Sequence, residues 1–301
     1  EAGTSYHPDP LVPGTPDLTN PFVLVPGGSQ IIVMAFASAD LPDGRYSVVL
    51  SADQPIVAIA NLAGADGMIN YNGSYSGMED IGQVEMYLPS VSKAYYDWNS
   101  HLSVQNLTGS AMDITIEFYA GSPATVTEVM QNVPAYSSWH YDVSTDPVLP
   151  IMYNGSAKVV AAGPVAVVNN DYNQNPAVAG ANQVYNGLTE GSMDLYCPGL
   201  YDNFLGVWIA SLNIQNIGTV DATVNVTYSD GMTDGPITLG PSAATLLTYN
   251  TGAHAAGYFS AHVTGDQPLV AVANANGGAS SQTYECFTAR ANQIRTPLAI
   301  K

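Results

Sequence analysis

The 301 residues predict an all-β protein: a string of antiparallel β-sandwiches of which the first is incomplete. Three observations carry this. Short runs of β-branched and aromatic residues lie between Gly, Pro, Asn and Asp punctuation, and helical periodicity is almost absent. Ile114-Thr115-Ile116-Glu117-Phe118-Tyr119 and Val224-Asn225-Val226-Thr227-Tyr228 alternate with the period of two that buries one face of a strand. Two phrases also recur in fixed order. Asp53-Gln54-Pro55-Ile56-Val57-Ala58-Ile59-Ala60-Asn61 returns as Gly163-Pro164-Val165-Ala166-Val167-Val168-Asn169-Asn170 and as Asp266-Gln267-Pro268-Leu269-Val270-Ala271-Val272-Ala273-Asn274. Trp98-Asn99-Ser100-His101-Leu102-Ser103-Val104-Gln105-Asn106 returns once, as Trp208-Ile209-Ala210-Ser211-Leu212-Asn213-Ile214-Gln215-Asn216. The repeated prolines stand 109 and 104 residues apart, too far for a solenoid unit and right for a small β-domain.

Residues 1–21 contain Pro8, Pro10, Pro13, Pro16 and Pro21 and are expected to form an extended, polyproline-like arm. Residues 22–83 are an incomplete module. They enter at Phe22-Val23-Leu24-Val25-Pro26, which matches Met130-Gln131-Asn132-Val133-Pro134 and Ile237-Thr238-Leu239-Gly240-Pro241, so three opening strands are missing. Residues 84–192 give the template, with strands expected at 84–91, across the Trp98 phrase, and at 112–119, 125–133, 138–143, 157–161 and 165–169. Residues 193–294 repeat it. Each complete module opens with an apolar strand interrupted by Pro, which favours a sheet edge because Pro cannot donate to the ladder. Strand-sized segments roughly every 10 to 12 residues fit an immunoglobulin-like arrangement of about seven strands. Finally Arg295-Thr296-Pro297-Leu298-Ala299-Ile300-Lys301 stands after module three as Tyr196-Cys197-Pro198-Gly199-Leu200 stands after module two. It reads as an opening strand without a module.

Charge narrows the partners. Twenty-five acidic residues against six basic ones give a formal charge of −19, which argues against nucleic acid and against an anionic membrane surface. No apolar run approaches the roughly 18 to 20 residues that span a bilayer. The chain starts at Glu1 without an initiator Met and reads as a mature secreted product, with an extracellular or cell-surface location. Cys197 and Cys286, the only cysteines, both fall in module three and are expected to form a disulfide in an oxidising compartment, two buried free thiols being the other reading. Leu88 and Gly187 hold the equivalent positions in module two.

Chemistry-bearing motifs are sparse. His7, His101, His140, His254 and His262 are scattered, with no HExxH, GxSxG or Cys-His pairing, so no catalytic residues, cofactor or metal ligands are assigned. His254 and His262 could share a sheet face, but surface or capping roles explain them better. Asp40-Leu41-Pro42-Asp43-Gly44 and Asn169-Asn170-Asp171-Tyr172-Asn173 are oxygen-rich loop candidates for calcium, yet turn formation accounts for both. Trp98 and Trp208 suit a repeated packing anchor better than a platform for surface glycans. Tyr71, Tyr75, Tyr95, Tyr96 and Tyr201 are expected in loops, as intermolecular contacts. Candidate glycosylation sequons begin at Asn72, Asn106, Asn154 and Asn225, a number that chance produces in a chain rich in Asn, Ser and Thr.

The pattern of Trp, six residues and Gln-Asn, then a Val-Thr-Tyr strand, a Pro turn and Gln-Pro-x-Val-Ala-Val-x-Asn resembles the repeated immunoglobulin-like domains of bacterial cell-surface and secreted proteins, especially those of filamentous Chloroflexota. The resemblance implies a surface β-module over residues 22–294 and no particular ligand. An unfilled sandwich beside an orphan strand also has the logic of donor-strand polymers. The expected function is therefore the structural, non-enzymatic subunit of an extracellular homopolymeric filament, with Leu298 and Ile300 entering the groove of the next copy. The competing readings are a fragment of a larger surface protein and a carbohydrate-binding adhesin.

Overall fold

The computed structural model describes residues 23–32, 45–66, 69–78, 83–121, 123–175, 181–250, 252, 254–278 and 280–288. The all-β expectation holds: strands form several antiparallel sheets, and among the described residues the one helical element is a 3-10 turn at Val143–Thr145. Among the described residues no helix is long and apolar enough to cross a membrane.

In module one, β1 (Ile59–Asp66) and β2 (Ile69–Ser76) form a hairpin in register Ile59↔Ser76 to Asp66↔Ile69. Module two holds β3 (Glu85–Lys93), β4 (Trp98–Asn106), β5 (Met112–Tyr119), β6 (Val126–Val133), β7 (Ser138–Asp142), β8 (Tyr153–Ala161), β9 (Val165–Asn173) and β10 (Asn182–Asn186). They pair as two four-stranded sheets, β3-β8-β5-β6 and β10-β9-β4-β7. Met86 and Leu88 of β3, Ile114, Ile116 and Phe118 of β5, and Ala157 and Val159 of β8 meet Leu102 and Val104 of β4 and Val165 and Val167 of β9 in one buried cluster between the sheets. That is a β-sandwich, with alternate residues of each strand inside.

Module three holds β11 (Ser192–Asp202), β12 (Trp208–Asn216), β13 (Ala222–Tyr228), β14 (Thr233–Leu239), β15 (Ala244–Tyr249), β16 (Gly257–Gly277) and β17 (Ser280–Glu285). The first half of β16 pairs with β11 and β13, as β8 pairs with β3 and β5; its second half pairs with β12 and β17, as β9 pairs with β4 and β10. The two modules therefore share one strand order. They differ where Gly163-Pro164 interrupts the ladder between β8 and β9, whereas β16 runs through Gly265-Asp266-Gln267-Pro268 unbroken, held by Thr223 N donating to Asp266 Oδ1 at 2.7 Å.

The strand plan corrects the seven-strand expectation. Each of the two complete modules has an eighth strand, β10 or β17, against the seventh. An immunoglobulin sandwich sets its first strand beside the second and its seventh beside the sixth. Here the first lies beside the sixth and the seventh beside the second, while the second–fifth and third–sixth pairs are shared with that plan. The eighth strand escapes the period-two signal because Asn182-Gln183-Val184-Tyr185 is buried on both faces, with polar residues inside.

The repeated Asn closes a corner. Asn106 Nδ2 donates to the carbonyls of Ser110 (2.8 Å), Val133 (3.0 Å) and Pro134 (3.1 Å), and Asn216 Nδ2 to those of Val220 (2.8 Å) and Leu239 (2.9 Å). The corner itself recurs in all three modules, with a left-handed residue at Gly27 (φ 75°), Tyr136 (φ 57°) and Ser242 (φ 62°). The next amide closes each turn onto Val25, Pro134 or Gly240. Pro26 thus corresponds to Pro241 and Ala135, one residue away from the expected match with Pro134.

Cys197 and Cys286 form a disulfide, their Cα atoms 4.8 Å apart, joining the edge strand β11 to the residue after β17. It closes a separation of 89 residues, which the chain-entropy account values at about 4 to 5 kcal/mol. Peptide mapping without reductant is expected to recover the linked pair; two alkylatable thiols in the native chain would overturn the assignment.

Candidate functional site

The joints between modules and the inner face of module one leave the most unsatisfied chemistry. At the joint between modules two and three, β3 is buried on both faces because module three lies across its outer side. Val272 of β16 points away from its own core and packs into the apolar cluster of module two. Around it Asn274 Nδ2 donates to Ser90 Oγ (3.1 Å) and Gln183 Nε2 to Asn276 Oδ1 (2.9 Å), while Ser281 Oγ donates to the Asn182 carbonyl (2.6 Å) and accepts from its amide (2.7 Å).

One contact is repeated at both joints. Ser156 Oγ of module two donates to the carbonyl of the left-handed residue Ser242 (2.6 Å), which Gln215 Nε2 also reaches (2.9 Å). Ser47 Oγ of module one donates to the carbonyl of Tyr136 (3.0 Å), which Gln105 Nε2 reaches at 3.3 Å. Ser47, Ser156 and Ser260 each stand eight residues before the repeated proline. The Gln-Asn phrase is thereby explained: Asn ties the corner and Gln supports the carbonyl that receives the neighbouring module. Beside the first joint, burial and then the charge of Arg45 hold His101 down to about 4, and the same causes lower His140.

The eighth strands stack in series, β2 on β10 on β17. Asn186 Nδ2 donates to the Ser76 carbonyl (3.0 Å), and a Cβ at Gly73 would lie 2.5 Å from Val184 Cγ2, so only glycine permits this approach.

Each complete module also fastens its opening strand with a tyrosine from the eighth. Pro89-Ser90 forms a bulge in β3, between Leu88 and Val91, and Pro198-Gly199 forms the same bulge in β11. The Tyr185 hydroxyl accepts from Ser90 N (3.2 Å) and donates to Ser90 O (2.6 Å). The Tyr284 hydroxyl accepts from Gly199 N (2.9 Å) and donates to Gly199 O (3.1 Å). A bulge leaves backbone groups without ladder partners, and the phenol supplies both. Tyr75 holds this position in module one: Gly77, Gly187 and Cys286 lie two residues after Tyr75, Tyr185 and Tyr284, and their amides donate to the equivalent residues Ala58, Val167 and Ala271. Among the described residues the Tyr75 hydroxyl has no hydrogen-bond partner, and burial raises its pKa.

The rest of module one shows the same vacancy. Val48, Leu50 and Ile56 are 55%, 46% and 43% exposed, whereas their counterparts Ala157, Val159 and Val165, and Ala261, Val263 and Leu269, are all within 4% of complete burial. Among the described residues β1 pairs on one edge only, whereas β9 and the second half of β16 pair on both. Residues 45–58 form no strand, so these apolar side chains and the free edge of β1 lie open together, the kind of surface to which an extended segment can add.

Other expected sites resolve individually. The arm 1–21, the Asp40–Gly44 loop and Arg295–Lys301 lie outside the described residues. Asn169–Asn173 is the second half of a strand and not a calcium loop; its side chains are buried or paired across the sandwich. Among the described residues no group of three or more His, Cys, Asp and Glu gathers for a metal. His254 Nδ1 pairs with Asp230 (2.7 Å) while its ring stacks on Phe259, and His262 Nε2 pairs with Asp194 (2.9 Å) over Tyr196. Tyr71 and Tyr75 lie on β2 and Tyr201 on β11, not in loops. Trp208 packs half-buried against the core and over Gly277; Trp98 is half-buried at the start of β4. Of the sequons, Asn106 is fully buried with its amide committed to three carbonyls, so it is structural. Asn154 is half-buried and donates to Ser92 Oγ, Asn225 is exposed on β13, and Asn72 lies on β2.

Sequence reasoning missed a buried carboxyl. Asp171 of β9 accepts from Ser100 Oγ and from Asn169 Nδ2 (2.9 Å), Ser100 Oγ accepts from the Ser92 amide (2.8 Å), and Asn169 Nδ2 also donates to the Ser90 carbonyl (3.0 Å). Burial pushes the carboxyl up to about 7 against the lowering effect of the Ser100 and Asn169 hydrogen bonds. A near-neutral carboxyl suits acid–base chemistry, but this one is closed off from solvent inside the sandwich. The corresponding residues Leu62 and Ala275 are apolar, so repeat comparison alone marks Asp171 as the odd member.

Comparison of the chain with family models, with curated proteins and with solved structures gives no match.

Proposed function

We propose that the chain is a structural subunit of an extracellular filament that assembles head to tail by strand complementation. The observation that carries this is the inner face of module one, exposed at Val48, Leu50 and Ile56 where both other modules bury the same positions. Three medium apolar side chains half in water forgo several kcal/mol, at about 1.5 to 3 kcal/mol for each full burial, which a neighbour recovers by covering them. A contact between two different surfaces that does not close on itself propagates a fibre.

The donor is the segment ending Ile294-Arg295-Thr296-Pro297-Leu298-Ala299-Ile300-Lys301. Its Pro297 follows Cys286 by eleven residues, as Pro198 follows Gly187. In the register of β3 and β11 the bulge after the proline reverses the alternation. Ile294, Thr296 and Ala299 then take the inward places of Met86, Leu88 and Val91, and Leu298 takes the bulge position of Ser90, a shift from the inward Leu298 and Ile300 read from simple alternation. The Tyr75 hydroxyl would accept from the Leu298 amide and donate to the Leu298 carbonyl. One strand does not replace three, and the arm 1–21 supplies the remaining cover. The disulfide fits an oxidising, extracellular setting.

Copies with a formal charge of −19 repel, so assembly is measured near 0.15 M salt, where the screening length is about 8 Å. Light scattering and electron microscopy of the parent chain are expected to show concentration-dependent polymers, and deletion of residues 289–301 to abolish them with modules two and three still folded. Normal filaments from the truncated chain, or a parent chain that stays monomeric at every concentration, would overturn the reading.

A further inference from the structure

We infer that the outer face of module three is a docking surface for module one of a second copy, through the same joint that modules two and three make within one chain. This deepens the head-to-tail reading and rests on it for the partner, but it concerns the outer surfaces rather than the strand that fills the groove. Both halves of the joint are present and unpaired. On module three, Pro198 is exposed and Gly199, Tyr201 and Ser260 are half-exposed, whereas Pro89, Ser90, Ser92 and Ser156 at the same positions of module two are buried under module three. On module one, Val57 and Ile59 are 95% and 60% exposed, whereas Val270 and Val272 at the same positions are buried, Val272 within the apolar cluster of module two.

The polar contacts match as well. Ser47 and Ser156 each donate to the left-handed carbonyl of the next module; Ser260, the third of the series, makes no side-chain hydrogen bond among the described residues. The carbonyl of Gly27, first of the left-handed series, accepts none there. Ser260 of one copy and Gly27 of the next complete the series. Asn61 corresponds to Asn274 and Gly199 to Ser90, the pair that meets at 3.1 Å inside the chain. The partner is thus a second copy, because the docked geometry is one the chain already makes with itself. It is also compatible with strand exchange, since a donor segment leaving module three reaches the module seated upon it.

Mixing an Asn61→Cys chain with a Gly199→Cys chain tests this under mild oxidation, with Ser90→Cys plus Asn274→Cys in one chain as the internal standard. A covalent dimer is expected in the mixture and in neither variant alone. Absence of that dimer while the standard links internally would refute the docking geometry. If deletion of residues 289–301 still abolishes polymers in that case, strand exchange stands without it; if the truncated variants both link and form normal polymers, docking stands and strand exchange falls. A second variant needs no new cysteine: Val57→Asp with Ile59→Asp alters exposed residues, so modules two and three should melt as in the parent while polymer growth is lost. Unchanged growth would also refute the inference.

Discussion

A chain carrying Asp171→Asn is expected to be more stable than the parent at pH 8 and nearly equal to it at pH 4. The carboxyl is held up to about 7 in the fold against an ordinary 3.8, chiefly by burial. At pH values below 3.8 both folded and unfolded chains keep the proton, and the carboxyl adds no pH dependence. Between 3.8 and 7 the unfolded chain releases its proton while the folded chain retains it, so stability falls as pH rises, and above 7 the loss is complete. About three pKa units at 1.36 kcal/mol each set the scale at about 4 kcal/mol. Asparagine keeps an oxygen to accept from Ser100 and Asn169 and carries no charge to desolvate. Denaturant titrations of both chains from pH 4 to 8 measure the difference. Parallel pH profiles, or a variant less stable at pH 8, would show that the folded carboxyl is not held near neutrality.

The sequence made the repeat legible because strand-end phrases are local. Pro-x-Val-Ala-Val-x-Asn and Trp-x6-Gln-Asn each span about one strand, and in modules two and three the structure pairs the two phrases with each other in the same register. Cys197 and Cys286 were likewise pairable, since each module brings its opening strand beside the exit of its eighth. What was not legible depends on contacts between modules. In module two the eighth strand hides its period because both its faces are covered, one by its own module and one by a neighbour. Asn169–Asn173 reads as a polar loop, but the sandwich gives its side chains partners at Ser90, Ser100 and Tyr96. The series Ser47, Ser156, Ser260 and the series Tyr75, Tyr185, Tyr284 were visible as spacing. Nothing local distinguishes them from other surface Ser and Tyr until the strand order is known.

Those tyrosines give the second large effect. Tyr185→Phe is expected to destabilise module two by about 2 to 4 kcal/mol, because it leaves the Ser90 amide unsatisfied in a buried bulge, at about 1 to 3 kcal/mol, and takes from the Ser90 carbonyl one of its two bonds, worth about 1 kcal/mol, the one from Asn169 remaining. Tyr284→Phe removes the same pair of bonds from Gly199, but that residue is half-exposed and water replaces part of the loss. Its cost should be about 1 kcal/mol. Tyr75→Phe removes a hydroxyl without a partner among the described residues, so in the monomer its effect should be smallest of the three. In the filament the order changes if the bulge after Pro297 sits on Tyr75, because the phenylalanine then strands the Leu298 amide and carbonyl. Thermal melts of monomers and denaturant-driven disassembly of filaments separate the two situations. Equal monomer losses for Tyr75→Phe and Tyr185→Phe would mean that the clasp of module one is already filled within the chain. A filament indifferent to Tyr75→Phe would place the donor strand in another register while leaving its insertion intact.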